Sequence, residues 1–216
     1  MALASSSNAP VSVIGSEFTV PYAFDIIVDK SPGGEMIITD VNHKILLKVK
    51  SCDTSFHSER VLLTADDKVI VKLREKIMSE HNRWNVYRGD SKADENLIFS
   101  TKEKNWIQFK TSLQVFLANK TSGKDVCDFM IKGSWSKKNC QVYVGDNDSI
   151  TIAQMHKKDE SKKLKSEKNK FMVSINPNVD YAFVVALIAI IGAINTVNEN
   201  TSAGILGEVI GAVVGS

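Results

Sequence analysis

The run from Tyr181 to Ile194 limits what this chain can become more than any other stretch, because its fourteen residues offer no polar face. As a helix it extends about 21 Å at ~1.5 Å per residue, short of the ~30 Å hydrocarbon core that a spanning helix crosses. Val184, Val185, Leu187, Ile188, Ile190, Ile191 and Ile194 point in every direction around the axis, so protein or lipid has to surround the helix on all sides. The expectation is a buried core helix in preference to a membrane anchor. Asp180 or Asn178 is placed to cap its first turn, while Gly192 and Asn195 mark where it is expected to fray.

The enclosing material is read from the preceding residues, which alternate apolar and polar with period two. Ile45, Leu47 and Val49 alternate with lysines, as do Val69, Val71 and Leu73. The same beat runs through Leu113 to Leu117, Cys127 to Ile131, Cys140 to Val144, Ile150 to Ile152 and Phe171 to Ile175. Adding Phe24 to Val28, Met36 to Thr39, Val61 to Leu63, Trp84 to Arg88, Leu97 to Thr101 and Trp106 to Phe109 gives about a dozen strands. Turn signals such as Val41 to Lys44, Ala65 to Lys68, Gly89 to Ser91 and Gly145 to Asp148 separate them, and such short connections favour antiparallel neighbours. A dozen strands remove exposed edges by closing on themselves, and a barrel that size is too wide for its own side chains to fill. The apolar helix is the expected filler.

Three cysteines, Cys52, Cys127 and Cys140, without CxxC spacing argue against a disulfide framework and a zinc site. Cys127 and Cys140 fall on the apolar faces of their segments and are expected to be reduced core residues. Residues 1–20 read as a flexible leader without a secretory signal, so a cytoplasmic location is expected, with peripheral membrane attachment as an option. The formal net charge of +2 is too small to imply nucleic-acid binding by bulk electrostatics, and Arg60, Arg74, Arg83 and Arg88 are the only arginines.

Several blocks together resemble the LURP-one-related family of plants, which belongs with the tubby-like and phospholipid-scramblase fold group. They include Ile38-Thr39-Asp40-Val41-Asn42, Arg60-Val61-Leu62-Leu63, Leu73-Arg74-Glu75-Lys76 and Arg83-Trp84 with Tyr87-Arg88-Gly89. The more specific ones are Cys127-Asp128-Phe129 with Lys132-Gly133-Ser134-Trp135, Ala153-Gln154-Met155-His156-Lys157, and Pro177-Asn178-Val179-Asp180-Tyr181-Ala182-Phe183. The resemblance covers about Tyr22 to Asn198. It implies a mainly β fold: a single closed twelve-stranded antiparallel β-barrel of tubby-like type enclosing a hydrophobic C-terminal α-helix. It defines a domain over 21–198, followed by a glycine-rich apolar tail over 199–216. Functionally it implies a non-enzymatic binding or signalling scaffold with a role in plant defence, and, by relation to the wider fold group, a scramblase-like membrane protein as an alternative.

The chemistry visible in the residues fits no catalytic template. His43, His57, His81 and His156 occupy separate segments, and no nucleophile elbow, phosphate loop or dinucleotide fingerprint is present. Asp146-Asn147-Asp148-Ser149 lacks the glycine and bidentate glutamate of a calcium loop and reads as a hairpin turn. No catalytic residue, metal or cofactor is assigned. Trp84, Trp106 and Trp135 read as strand packing. The strongest local signal is Lys157, Lys158, Lys162, Lys163, Lys165, Lys168 and Lys170, set against Asp159, Glu160 and Glu167. Such a run attracts anionic headgroups at ~1 kcal/mol per basic residue, and makes anionic lipid or phosphoinositide one candidate partner, an unidentified protein being the other.

Overall fold

The computed structural model describes residues 10–54, 58–76, 82–104, 111–119, 126–146, 149–157 and 169–196. The alternating segments form twelve strands: β1 Phe24–Lys30, β2 Met36–Asp40, β3 Ile45–Ser51, β4 Glu59–Thr64, β5 Val69–Glu75 and β6 Trp84–Arg88. They continue as β7 Leu97–Glu103, β8 Thr111–Leu117, β9 Phe129–Gly133, β10 Gln141–Val144, β11 Thr151–Lys157 and β12 Lys170–Ile175. Each pairs antiparallel with the next, and β1 pairs with β12 from Phe24↔Ile175 to Asp29↔Lys170, which closes the barrel. The segment Trp106 to Phe109, expected as a strand, lies outside the described residues. Closure does not depend on it, because β7 pairs directly with β8.

Period-two alternation sends Ile26, Val28, Ile38, Val71, Leu73, Val86, Phe99 and Val115 inward, each with no solvent exposure. The helix α1, residues 181–196, fills the space they surround. Every residue from Ala182 to Ile194 is buried, including the positions a surface helix would expose. Phe183 meets Phe99 and Phe129 at ring-centroid distances of 5.3 and 4.9 Å. Each enclosed Phe, Leu, Ile or Val contributes about 1.5–3 kcal/mol by leaving water, and this pairing of wall and plug is the main source of stability.

The helix does not fray at Gly192, as its sequence suggested; it continues to residue 196. Gly192 is there because of what passes beside it. A Cβ at this position would stand 2.7 Å from Met36 Cε and 3.3 Å from Trp135 Cη2. Only a bare backbone lets the helix lie this close to the wall.

The expected leader is also corrected over its second half. Val11 bridges to Val179 and Thr19 to Asp180, a 3₁₀ turn spans Ser16–Phe18, and Ile14 and Phe18 are buried. Asp180 organises this strap. Its Oδ1 accepts the amide of Phe183 at 3.0 Å, capping the helix, while Oδ2 accepts the amides of Ile14, Gly15 and Val13 at 2.7, 3.1 and 3.2 Å. Asn178, the other capping candidate, instead takes a left-handed backbone, φ 61°, in the turn between β12 and the helix.

Candidate functional site at the helix-exit end of the barrel

The helix runs in the same sense as β1, so its last turn lies at the end of the barrel where Lys30, Met36, Trp135, Lys157 and Lys170 also sit. Thr196 Oγ1 donates back to the Gly192 carbonyl at 2.7 Å and accepts Lys30 Nζ at 2.9 Å. A cation beside the last turn complements the partial negative charge of a helix C-terminus. Lys138 Nζ lies 3.9 Å from the Trp135 ring centroid and 5.0 Å from that of Phe171. The Trp135 and Phe171 rings, 5.6 Å apart and set edge to face, thus form an aromatic floor beneath Lys138.

Lys157 ends β11 and is exposed; Lys170 begins β12 and holds Asp29 at 3.2 Å. These two lysines are therefore the roots of the basic run. Lys158, Lys162, Lys163, Lys165 and Lys168 lie outside the described residues, as do residues 199–216 of the expected tail.

Sequence reading along one segment missed other lysines that the topology brings to the same end. Lys76, Lys104 and Lys137 are exposed in the connections leaving β5, β7 and β9. They are far apart in sequence, so no local run announces them. Arg60, by contrast, is buried and committed: it pairs with Asp53 and donates to the Glu59 carbonyl at 2.8 Å. Burial works to raise the Asp53 carboxyl, but the Ser51 hydroxyl and the Arg60 guanidinium outweigh it and hold the group below its ordinary value. Glu59 is likewise occupied, with Arg74 Nε and Lys92 Nζ each at 3.1 Å.

Among the described residues, the interior cavity is small and apolar. Between the helix at Val184, Leu187 and Ile188 and the wall at Ile131, Val142 and Met155 is an apolar gap of about 10 Å³, barely the room of one water. A cleft of about 280 Å³ opens at the opposite end beside Ser12, Arg88, Glu95, Asn96 and Asn119. Arg88 there donates to the Ile14 carbonyl at 3.2 Å, fastening the strap.

Among the described residues no group of histidine, cysteine or carboxylate side chains is placed to hold a metal ion. His43 sits in the β2–β3 turn and His156 on β11, while His57, His81, Asn147 and Asp148 lie outside the described residues. Cys127 and Cys140 are buried, Cys52 is exposed, and none of the three is in a disulfide. Burial pushes the Cys140 thiol up to about 11, against the Thr111 hydrogen bond and the nearby Lys138 charge. Trp84 is buried in β6, as strand packing requires, whereas Trp135 is buried from the turn after β9 rather than from a strand, and Trp106 lies outside the described residues.

A closed antiparallel barrel plugged by its own C-terminal helix, with its charged chemistry on the outside, defines a class of protein by shape. The family follows from comparison with known proteins. The family model described as LURP-one-related matches residues 26–192, and the chain belongs to the LURP-one-related family. Protein LURP-one-related 10 of Arabidopsis thaliana is 41% identical over 190 residues, covering 86% of this chain and 97% of that protein. Protein LURP-one-related 15 of the same plant is 39% identical, covering 85% of each chain, and Protein LURP1 is 38% identical, covering 84% and 89%. A crystal structure of an Arabidopsis thaliana protein superposes with TM-score 0.66 at 36% identity, covering 85% of this chain and 98% of that one.

Proposed function

We propose that this protein is a non-enzymatic binding module that docks on anionic membrane lipid through the lysine-rich connection between β11 and β12. The observation that carries the reading is the placement of Lys157 and Lys170 at the helix-exit rim, on strands that a packed barrel holds rigidly. A filled interior leaves the outside as the working surface. No helix among the described residues is long and apolar enough to cross a membrane, and α1 is enclosed by the strands, so it is unavailable as the anchor of a scramblase-like protein.

Co-sedimentation with vesicles containing phosphatidylserine tests the reading. Replacing Lys162, Lys163 and Lys165 by Gln is expected to weaken binding by about 3 kcal/mol at ~1 per charge, and raised salt is expected to release the protein. Equal binding by wild type and variant, or no binding by either, refutes it.

A second reading, a protein-binding scaffold in defence signalling, is favoured by apolar side chains outside the wall. Ile37 on β2, Val41 in the β2–β3 turn and Ile45 on β3 are 47%, 55% and 39% exposed. Ile37→Glu is expected to abolish such a protein contact and to leave vesicle binding unchanged.

A further inference from the structure

Charge is segregated along the barrel axis, a property that belongs to no single segment. Among the described residues, the strand connections at the helix-exit end carry five basic residues, Lys76, Arg83, Lys104, Lys137 and Lys138, and two acidic ones, Glu35 and Asp53. The described residues of the opposite end, within 10–23, 41–44, 65–68, 89–96, 118–128, 145–150 and 176–180, carry three basic and nine acidic side chains. Its balance is shifted further because Lys92 reaches back along the wall to Glu59. The +2 total thus conceals two ends of opposite sign. The five basic residues of the helix-exit end come from three connections that only the fold brings together.

We infer that the whole helix-exit end, and not the 158–169 connection alone, is the docking face for an anionic bilayer. This rests on the membrane reading above and adds two things to it: further contact residues, Lys76, Lys104 and Lys137, and an orientation. An anionic surface attracts one end and repels the other, so the barrel stands with its axis across the membrane plane. The chemistry favours a bilayer over a nucleic acid. The face is lysine-rich, and lysine acts as a point charge without needing a partner of defined shape, whereas base and phosphate recognition draws on the arginine fork. Arg60 and Arg74 are occupied by Asp53 and Glu59.

The full chain is tested by co-sedimentation with phosphatidylcholine vesicles with and without phosphatidylserine. Lys76, Lys104 and Lys137, all exposed, are replaced together by Gln, and in a separate variant Lys44 and Lys68 of the opposite end are replaced. Each lysine lost from the docking face is expected to weaken binding about fivefold, so the first variant falls roughly a hundredfold while the second matches wild type. Thermal unfolding should be unchanged in both. Orientation is read with a fluorophore on Cys52, exposed at the helix-exit end while the other two cysteines are buried. Headgroup quenchers are expected to quench this label, and to spare one on Asn42→Cys in a Cys52→Ser background. If wild type binds and only the Lys162, Lys163 and Lys165 variant weakens, the end-face inference fails and the loop reading stands. Quenching at Asn42→Cys equal to that at Cys52 also overturns the inference. If wild type is retained by duplex DNA and by no vesicle, both readings fall.

Discussion

Asp180→Ala removes the acceptor that holds the beginning of the fold to its end. The side chain is fully buried and receives four backbone amides. If the strap stayed in place, these amides would be stranded at about 1–3 kcal/mol each. The cheaper course is release of residues 10–20. The amides then hydrate, but burial of Ile14 and Phe18 is lost at about 1.5–3 kcal/mol each, together with a helix cap of about 1 kcal/mol. Entropy regained by the freed chain offsets part of this, so the expected loss is about 2–4 kcal/mol, a large fraction of a total of ~5–15. Urea denaturation measures it. Limited proteolysis should show new cleavage within residues 10–20 while the barrel stays resistant. Asp180→Asn, which keeps one acceptor oxygen, should fall between. Burial raises the Asp180 carboxyl and its amides only partly oppose this, so its linkage favours the folded state below the unfolded pKa and fades as pH rises through the folded one. A loss under about 1 kcal/mol, or a full loss with the strap still protected from protease, would refute the argument.

Gly192→Val should destabilise by about 1–3 kcal/mol in thermal or urea unfolding despite valine's better helix propensity, because the new carbons meet Met36 and Trp135; Met36→Ala in the same chain should recover part of the loss. At pH 8 a thiol reagent should modify Cys52 rapidly and reach Cys127 and Cys140 only on unfolding. Cys140 is held as a neutral thiol with a folded pKa of about 11 against an ordinary 9.0, so its contribution to stability is complete below pH 9 and is lost as pH rises through about 11. Urea midpoints of wild type and Cys140→Ala should therefore converge over that range.

The wall and the plug were legible because each depends on a repeating pattern. Alternation along Val69 to Leu73 or Phe171 to Ile175 fixes which face is buried, and a helix apolar all round can only be enclosed. The strap was not legible, since Val11, Ile14 and Phe18 follow no period and their partners lie some 165 residues away, at Val179, Asp180 and Tyr181. Gly192 misled for a related reason: in sequence a glycine signals a helix end, and only the neighbouring wall reveals a close approach. The roots of the lysine run were visible as residues, but the company of Lys76, Lys104 and Lys137 arises from strand order, which no local window contains.

The plug also has a consequence in time. All twelve strands are synthesised before residues 181–196, yet the surface those strands must cover belongs to that helix. Until it emerges from the ribosome, the inward row that includes Ile26, Ile38, Val71 and Phe99 has nothing to pack against, and β1 has no β12 to pair with. The growing chain therefore carries an unfilled, unclosed sheet through most of its synthesis, the state in which exposed apolar rows and open edges invite aggregation. Closure joins segments near opposite ends of the sequence, and such long-range pairing is intrinsically slow. Folding of this protein is consequently a late, concerted event, and chaperone demand should be concentrated on the nascent chain rather than on the finished barrel.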